Sequence, residues 1–246
     1  LSATQRPLNE VAAFLGGFES PDGGALDGGM ASVPRPVAVV DTGRTKTFDL
    51  RVELPPEVTV DPSVDPAGAR AGNASIWPSV HARLLELIQA HHTTLVFVNS
   101  RRLAERLAQA VNDLAGSEVA RAHHGSISKD ARAALEERLK QGTLPAVMAT
   151  SSLELGIDMG AVDLVVQVEA PPSVASGIQR IGLAGHQVGA VSKGVLIPTH
   201  KSDLLACAAL VQHVRAGHVE ETRFLVNPLD VLAQQVVAML AAEPMD

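Results

Sequence analysis

The sequence has few of the residues that stabilise secreted or membrane-spanning proteins. Its 246 residues include one cysteine, Cys207, so an internal disulfide is excluded and a reducing compartment is indicated. Tyrosine is absent and aromatic residues make up 2%, so a large core has to be built from Ala, Val, Leu and Ile, which suit parallel strands covered by helices. No run of 18 apolar residues and no basic-then-apolar amino-terminal segment is present, so neither a membrane span nor a secretory signal is predicted.

The sequence also lacks the usual phosphate-binding motifs of nucleotide hydrolases. It contains no Gly-x-x-x-x-Gly-Lys-Ser/Thr loop, no Gly-x-Gly-x-x-Gly after a strand and no Asp-Glu box of the kind that holds magnesium. We therefore predict that the chain alone does not bind and hydrolyse a nucleotide in the usual P-loop manner. The net charge of -7 argues against nonspecific coating of nucleic acid but allows a groove with a few local contacts. Because the chain begins with Leu1 and not Met, we expect a fragment whose partner half lies upstream.

Regular hydrophobic patterns begin near residue 76, where short apolar runs alternate with amphipathic segments. Strands are predicted at 95–98, 119–122, 146–149, 164–168 and 194–197, and helices at 81–90, 101–115, 128–140, 173–181 and 202–216. Strands that alternate with helices of this length indicate βαβ units. The predicted fold class is α/β, with a parallel sheet and helices on both faces.

The segments outside this pattern divide the chain further. Residues 18–75 contain two stretches rich in Gly and Pro, and between them residues 37–40 and 47–54 are predicted to form a β-ribbon around Asp41-Thr42-Gly43. Residues 227–241 read as one more helix, after Asn227-Pro228.

Ligands of open α/β sheets bind beyond the carboxyl ends of the strands. The loops at 99–102, 123–128, 150–158 and 182–189 occupy such places, and they offer hydroxyl groups, arginines, histidines and glycine N–H groups, all of which bind phosphate. The pairs His91-His92 and His123-His124 have no cysteine or carboxylate at zinc spacing, so no metal site is predicted.

These loops, in this order, resemble the second motor domain of superfamily 2 helicases, and most closely the bacterial Lhr (large helicase-related) family. The resemblance runs from Leu1 to about Leu240. It rests on Leu1-Ser2-Ala3-Thr4 (motif III), Leu95 to Arg102 (motif IV), His123-His124-Gly125-Ser126, Ala149 to Asp158 (motif V) and Gln179 to His186 (motif VI). It implies a RecA-like domain at 76–224, preceded by the end of the first RecA-like domain at 1–17 and the linker at 18–75, and followed at 225–246 by the start of a winged-helix domain.

The resemblance also implies a role for each loop. Phosphates of the tracked strand would be contacted by Asn99, Ser100, Arg101, Arg102, His124, Gly125, Ser126, Thr150 and Ser151. Gly156 would allow close approach of the nucleotide and Asp158 would accept hydrogen bonds from its ribose. Gln179, Arg180 and His186 would form the catalytic part of motif VI. Leu183 stands where the family has its arginine finger. We therefore hypothesise that this protein is impaired in hydrolysis.

The function implied is that of an ATP- and Mg²⁺-dependent motor, with most nucleotide ligands supplied by the upstream RecA-like domain. It would move 3′ to 5′ on single-stranded DNA, unwind DNA or RNA–DNA duplexes and act in DNA repair in the bacterial cytoplasm, at the nucleoid. Two alternatives stay open at this point: an RNA helicase, since 2′-hydroxyl contacts are not readable from these loops, and a degenerate, non-hydrolysing clamp or scaffold. A nucleotide-sugar enzyme with a similar sheet is disfavoured by the missing glycines and by the spacing of motif V.

Overall fold

The computed structural model describes residues 4–19, 33–41, 46–54, 75–154, 162–185, 190–225 and 228–242. These residues divide into two units. The larger unit comprises Thr4 and the described residues between 43 and 220, and the smaller one comprises those between 5 and 42 and between 221 and 246.

Strands and helices alternate along most of the described chain. The strands are β1 (Phe18–Glu19), β2 (Val33–Pro34), β3 (Phe48–Val52), β4 (Thr94–Phe97), β5 (Ala120–His123), β6 (Ala146–Ala149), β7 (Leu164–Val168) and β8 (Ser192–Ile197). The α-helices are α1 (Leu8–Gly16), α2 (Trp77–Gln89), α3 (Arg101–Ala115), α4 (Lys129–Lys140), α5 (Val174–Ile181), α6 (Lys201–Ala216) and α7 (Leu229–Ala242).

The larger unit is built on a six-stranded sheet with the order β3-β8-β7-β4-β6-β5. Every neighbouring pair in this sheet is parallel. Helices α2 and α3 pack on one face, and α4, α5 and α6 pack on the other. The predicted α/β fold class, a parallel sheet with helices on both faces, is therefore confirmed.

The central strands are mostly apolar because both of their faces are covered. In β4, Leu95 and Phe97 belong to one core cluster, whereas Val96 belongs to the cluster on the opposite face. In β7 the same pattern is interrupted by Gln167, which is 1% exposed. A buried amide inside an apolar strand needs hydrogen-bond partners, and those partners belong to the candidate site.

The predicted β-ribbon at 37–40 and 47–54 is wrong. Residues 37–40 form no strand, and β3 instead joins the large sheet, where Leu50 lies opposite Gly194 in parallel register with β8. The side chain of Leu50 is buried in the core, which explains why this strand pairs with the sheet. As a result the sheet unit begins before residue 76, where the sequence placed the start of the domain.

Gly194 lets the helix that carries motif VI approach the sheet closely. A Cβ atom at this position would lie 2.7 Å from Ile181 and 2.9 Å from Leu50, closer than real Cβ contacts allow. With any larger residue here, the side chain of Ile181 or Leu50 would have to move. The position of motif VI thus depends on a glycine that lies outside the motif.

Serine side chains cap three of the helices that follow sheet strands. Ser100, Ser128 and Ser173 accept hydrogen bonds from the N–H groups of Leu103, Ala131 and Ser176 at the starts of α3, α4 and α5. The predicted starts at Ser128 and Ser173 are confirmed. Helix α2 begins at Trp77, four residues before the predicted start at 81, and Pro78 lies in its first turn.

The smaller unit contains α1, the antiparallel pair β1–β2 and α7. Phe14 of α1 stacks on Phe224 with the ring centroids 4.0 Å apart. Helix α7 coincides closely with the helix predicted at 227–241, and none of its described residues is buried.

Within the described part of the chain, no helix combines the length and the hydropathy needed to cross a membrane.

Candidate nucleic-acid and nucleotide site

The loops predicted to contact a nucleic-acid strand follow three adjacent strands of the sheet. In the sheet order, β4, β6 and β5 are neighbours, so their carboxyl ends lie at the same edge. Asn99 and Ser100 follow β4, His124 to Ser126 follow β5, and Thr150 and Ser151 follow β6. The fold therefore brings all nine predicted strand-contacting residues to one edge of the sheet.

Arg101 connects two of these loops directly. Its guanidinium donates to the hydroxyl oxygen of Ser126 at 2.5 Å, and the contact is exposed to solvent. Arg101 and Arg102 are both exposed at the start of α3. Two guanidinium groups and the positive end of a helix dipole at one place form a surface suited to phosphate.

His124 holds the loop after β5 and is itself 7% exposed. One ring nitrogen, Nε2, lies 2.7 Å from the carboxylate of Glu105 on α3, and the other, Nδ1, accepts the N–H of Ser126 at 3.3 Å. The imidazole is thus occupied on both sides. Gly125 and Ser126 carry the exposed surface of this loop, and the side chain of His124 fixes their position.

Thr150 is attached to the same loop from the other side. Its N–H donates to the carbonyl of His123 at 3.2 Å, and its hydroxyl donates to Ser152 Oγ at 3.4 Å. Ser152 Oγ in turn lies 2.9 Å from Nδ1 of His123. Burial lowers the pKa of His123, although the carboxylate of Glu136, 3.5 Å from Nε2, opposes this shift. A buried neutral histidine therefore ties motif V to the loop after β5.

Arg180 of motif VI is buried, with 2% of its surface exposed. Its Nε lies 2.6 Å from Glu154 Oε1, and Nη1 lies 2.9 Å from the amide oxygen of Gln167 and 3.4 Å from that of Asn99. The guanidinium carbon lies 5.3 Å from the ring centre of Phe97. Arg180 therefore contacts motif IV, motif V and β7, and its predicted catalytic role stays a prediction.

Asn99 extends this network to the loop after β7. Its amide donates to the carbonyl of Ala170 at 2.8 Å and to the carboxylate of Glu169 at 3.4 Å. Glu169 has a φ of 64°, a left-handed conformation that is uncommon outside glycine. Burial and the nearby carboxylate of Asp203 raise the pKa of Glu169. This strained and crowded loop is held in place by Asn99 and by Asp203, which accepts the N–H of Ala170 at 2.6 Å.

The remaining described part of motif VI comprises Gln179 and the turn of residues 182–185, here called the motif VI turn. Gln179 donates to the hydroxyl of Thr4 at 2.9 Å, which connects motif VI to the end of motif III. Leu183 is half-buried and packs against the core cluster that contains Ile181. Gly185 has a φ of 65°, and a Cβ atom there would lie 2.8 Å from the carbonyl oxygen of Val191, so the turn requires glycine.

Three predicted site residues lie outside the described residues: Gly156, Asp158 and His186. Their assignments to the nucleotide and to catalysis stay predictions. Ser151 is described and is exposed in the short 3₁₀ turn Ser151–Leu153.

Sequence reasoning missed the residues that hold the site together. Glu154, Gln167, Glu105 and Ser152 contact predicted site residues, yet none of them was singled out as functional. One of them carried a readable signal, because Gln167 is the polar residue within the otherwise apolar run Leu164–Val168. The partners of the others depend on tertiary contacts that no local pattern encodes.

Comparison with known proteins agrees with this geometry. Residues 79–187 match the family model described as the helicase conserved C-terminal domain. The chain is 47% identical over 279 residues to the "Lhr helicase/ probable uracil glycosylase" of Mycolicibacterium smegmatis, covering 100% of this chain and 17% of that protein. It is 35% identical over 252 residues to the "ATP-dependent helicase Lhr-Core" of Saccharolobus solfataricus, covering 100% of this chain and 26% of that protein.

Solved structures give the same result. The structure of the Mycobacterium smegmatis helicase Lhr bound to single-stranded DNA and AMP-PNP matches with a TM-score of 0.81 and 50% identity, over 100% of this chain and 29% of that one. The DUF1998 helicase MrfA bound to DNA matches with a TM-score of 0.61 over 76% of this chain, and its 24% identity supports a shared fold alone. The chain thus spans between 17% and 29% of the length of these Lhr proteins.

Proposed function

Since the chain belongs to the Lhr family of helicases and forms the C-terminal RecA-like part of a helicase motor, we propose that it is the strand-tracking half of an ATP-dependent motor that moves along single-stranded DNA. The whole protein would couple ATP hydrolysis, performed between two RecA-like domains, to stepwise movement of the strand. The strand would lie across the edge formed by the ends of β4, β6 and β5.

The observation that carries this proposal is the linkage among the three strand-contacting loops. Arg101 bonds to Ser126, and Thr150 bonds to the carbonyl of His123, so the three loops are positioned as one surface. The exposed side chains of this surface include the hydroxyls of Ser126 and Ser151 and the guanidiniums of Arg101 and Arg102. Such groups contact phosphates and carry no base information, which suits a motor that steps on any sequence.

The second part of the proposal concerns ATP and Mg²⁺. The described residues fit one side of a nucleotide site, because α5 leads into the motif VI turn and Arg180 joins α5 to motif V and motif IV. When bound, ATP with Mg²⁺ would supply the energy of phosphoryl transfer, and most of its ligands would come from the upstream domain. Gly156, Asp158 and His186 are proposed as this chain's own contacts to it.

We extend the proposal to direction and pathway on the strength of the family resemblance. Movement would run 3′ to 5′, the duplexes unwound would include RNA–DNA hybrids, and the setting would be DNA repair at the bacterial nucleoid. A winged-helix domain would begin in the segment that contains α7. The exposed apolar side chains of α7, such as Leu232 and Val237, favour further protein packed against this helix.

The direct test is a translocation assay with the intact protein that contains this chain. Streptavidin displacement from biotinylated single strands should require ATP and should be faster from the end that lies 5′ on the strand. Matched DNA and RNA strands distinguish a DNA motor from the alternative RNA helicase. The proposed function would be excluded if displacement were equally fast without ATP, or if it occurred only on RNA.

A second candidate function, a non-hydrolysing clamp, is favoured by one observation. Leu183 stands at the arginine-finger position and packs against the core, so it offers no charge to a nucleotide phosphate. A clamp would bind the strand through the same edge of the sheet but would show no strand-stimulated ATP hydrolysis. An ATPase assay of the intact protein with and without single-stranded DNA separates the two candidates.

A further inference from the structure

A lysine far away in the sequence contacts the motif VI turn. The ammonium of Lys46 donates to the carbonyl oxygen of Gly182 at 2.5 Å and to that of Ala184 at 2.9 Å. The two carbonyls belong to the residues on either side of Leu183. The cation therefore bonds to the backbone immediately before and immediately after the arginine-finger position.

The backbone next to Lys46 is held by the sheet. Lys46 lies just before β3, and β3 pairs with β8 in a register that places Phe48 opposite Ser192. The N–H of Ser192 donates to the carbonyl of Thr47 at 2.9 Å, and its hydroxyl donates to the carbonyl of Ala184 at 2.7 Å. Ser192 thus connects the strand that carries the lysine to the turn that the lysine binds.

The position also suits a cation on electrostatic grounds. Helix α5 ends at Ile181, and the carbonyl groups at the end of a helix carry partial negative charge. The carbonyl of Gly182, the residue that caps α5, lies at this end, and an ammonium with several N–H donors can bond to it and to the carbonyl of Ala184 at once. Partial burial lowers the pKa of Lys46, as expected for an ammonium that has given up part of its water.

The backbone of the motif VI turn is closed by further contacts. The N–H of Leu183 donates to the carbonyl of Arg180 and that of Gly185 to the carbonyl of Val162. These bonds fix the N–H groups of the turn, whereas Lys46 fixes two of its carbonyls. Without the ammonium, the carbonyls on both sides of position 183 would lose a charged donor.

We propose that Lys46 is a positioning residue of the nucleotide site, which holds the motif VI turn so that the side chain at position 183 meets the nucleotide phosphates in a fixed geometry. This inference rests on the proposed function, because it assumes that the motif VI turn faces ATP. It gives a role to β3, a strand that the motifs of the family do not include. In this chain the residue being positioned is Leu183, so the effect is largest when that position carries arginine.

The first test is a kinetic cycle in the intact protein. Lys46→Met and Lys46→Arg are made both with Leu183 and with Leu183→Arg, and single-strand-stimulated ATPase is measured as kcat and KM. Lys193→Met, at an exposed lysine of β8, is the matched control. In the Leu183→Arg protein, Lys46→Met should lower kcat about tenfold, the scale of a lost charged hydrogen bond, with KM for ATP nearly unchanged. Lys46→Arg should retain most of the rate, because it keeps the charge and the donors.

Two kinetic results would overturn the inference. If Lys46→Met behaved like Lys193→Met in the Leu183→Arg protein, the lysine would not position the turn. If Lys46→Met were more harmful with Leu183 than with arginine at that position, the ammonium itself would be the cation that meets the phosphates, and a positioning role would be wrong.

The second test does not depend on hydrolysis. Hydrogen exchange of the peptide covering residues 178–185 in the intact protein should become faster in Lys46→Met, and should change less in Lys46→Arg. Unchanged exchange in Lys46→Met would refute the proposed positioning role of Lys46. If all variants lacked ATPase activity while exchange responded to Lys46→Met, the proposed motor function would fail and the contact between Lys46 and the motif VI turn would stand.

Discussion

Arg180 and Glu154 form a buried ion pair that joins motif VI to motif V, with the two side chains 3% and 15% exposed. The arginine comes from α5 and the glutamate from the end of the 3₁₀ turn after β6. Gln167 and Asn99 complete the shell of acceptors around the guanidinium. The loops predicted to contact a nucleic-acid strand and the motif VI helix are therefore parts of one hydrogen-bonded network.

This pair leads to a prediction about stability. Replacing Arg180 by alanine leaves a buried carboxylate without its cation, so we expect the free energy of unfolding to fall by about 3–5 kcal/mol. Urea unfolding followed by circular dichroism measures the loss. The matched control is Arg51→Ala, whose pair with Asp49 has the two side chains 69% and 44% exposed, so the loss there should be below about 1 kcal/mol. Similar losses in the two variants would mean that the buried pair is not a structural link.

A second prediction concerns Arg101 and the strand. If Arg101 contacts a phosphate, Arg101→Ala should weaken binding of single-stranded DNA regardless of sequence. The slope of log K against log salt should become less steep by about 0.7, the value for one phosphate contact on a single strand. Fluorescence anisotropy of labelled oligonucleotides in the intact protein, at several salt concentrations, gives this slope. Arg51→Ala is again the control and should leave the slope unchanged, and an unchanged slope in Arg101→Ala would remove this residue from the interface.

Local patterns explain why much of the fold could be read from the sequence. The strand at Leu164–Val168 and the helix at Arg101–Ala115 were predicted with the bounds observed, because continuous apolar runs and three-to-four spacing are local signals. The starts of α4 and α5 followed from Ser128 and Ser173 for the same reason, since a capping serine acts within three residues.

The errors arose where distant residues decide the structure. The strand Phe48–Val52 was recognised, but its partner β8 lies about 140 residues away, and parallel pairing leaves no local trace. The burial of Arg180 depends on Glu154, Gln167 and Asn99, which come from three different elements. Sequence motifs therefore predicted loops that meet at one edge of the sheet, but they gave neither the contacts among these loops nor the bonds of Lys46 to the motif VI turn.

A third prediction concerns Leu183. Arginine at this position would place a charge beside the transferred phosphate, and an arginine finger is worth about 10³- to 10⁵-fold in related phosphoryl transfers. We expect Leu183→Arg in the intact protein to raise kcat for strand-stimulated ATP hydrolysis, toward the lower end of that range. Leu183→Met, which keeps the contact with the core, is the control and should leave kcat unchanged. An equal rate in the leucine and arginine proteins would show that hydrolysis here does not use this position.

The last prediction follows from the buried histidine of the strand-binding network. Burial lowers the pKa of His123 in the folded protein, whereas the unfolded chain has a pKa of about 6.5. Between these two values the unfolded state binds a proton that the folded state does not, so stability is fully present above about pH 6.5 and falls as the pH decreases toward the folded pKa. In this window, His123 should lower the free energy of unfolding by an amount that approaches about 1.4 kcal/mol for each pH unit of acidification.

Urea unfolding between pH 7.5 and 5.0 tests this contribution. His123→Asn keeps a polar group near Ser152 but does not titrate, so its free energy of unfolding should depend less on pH than that of the unaltered protein. His92→Asn, at an exposed histidine that precedes β4, is the control and should leave the pH dependence unchanged. The carboxylate of Glu136 opposes the effect of burial, so Glu136→Gln should lower the pKa of His123 further. The acid-induced loss of stability should then extend to lower pH. Parallel pH profiles for the unaltered and His123→Asn proteins would mean that burial does not hold His123 neutral. The contact between His123 and Ser152 would then not depend on the protonation of the histidine.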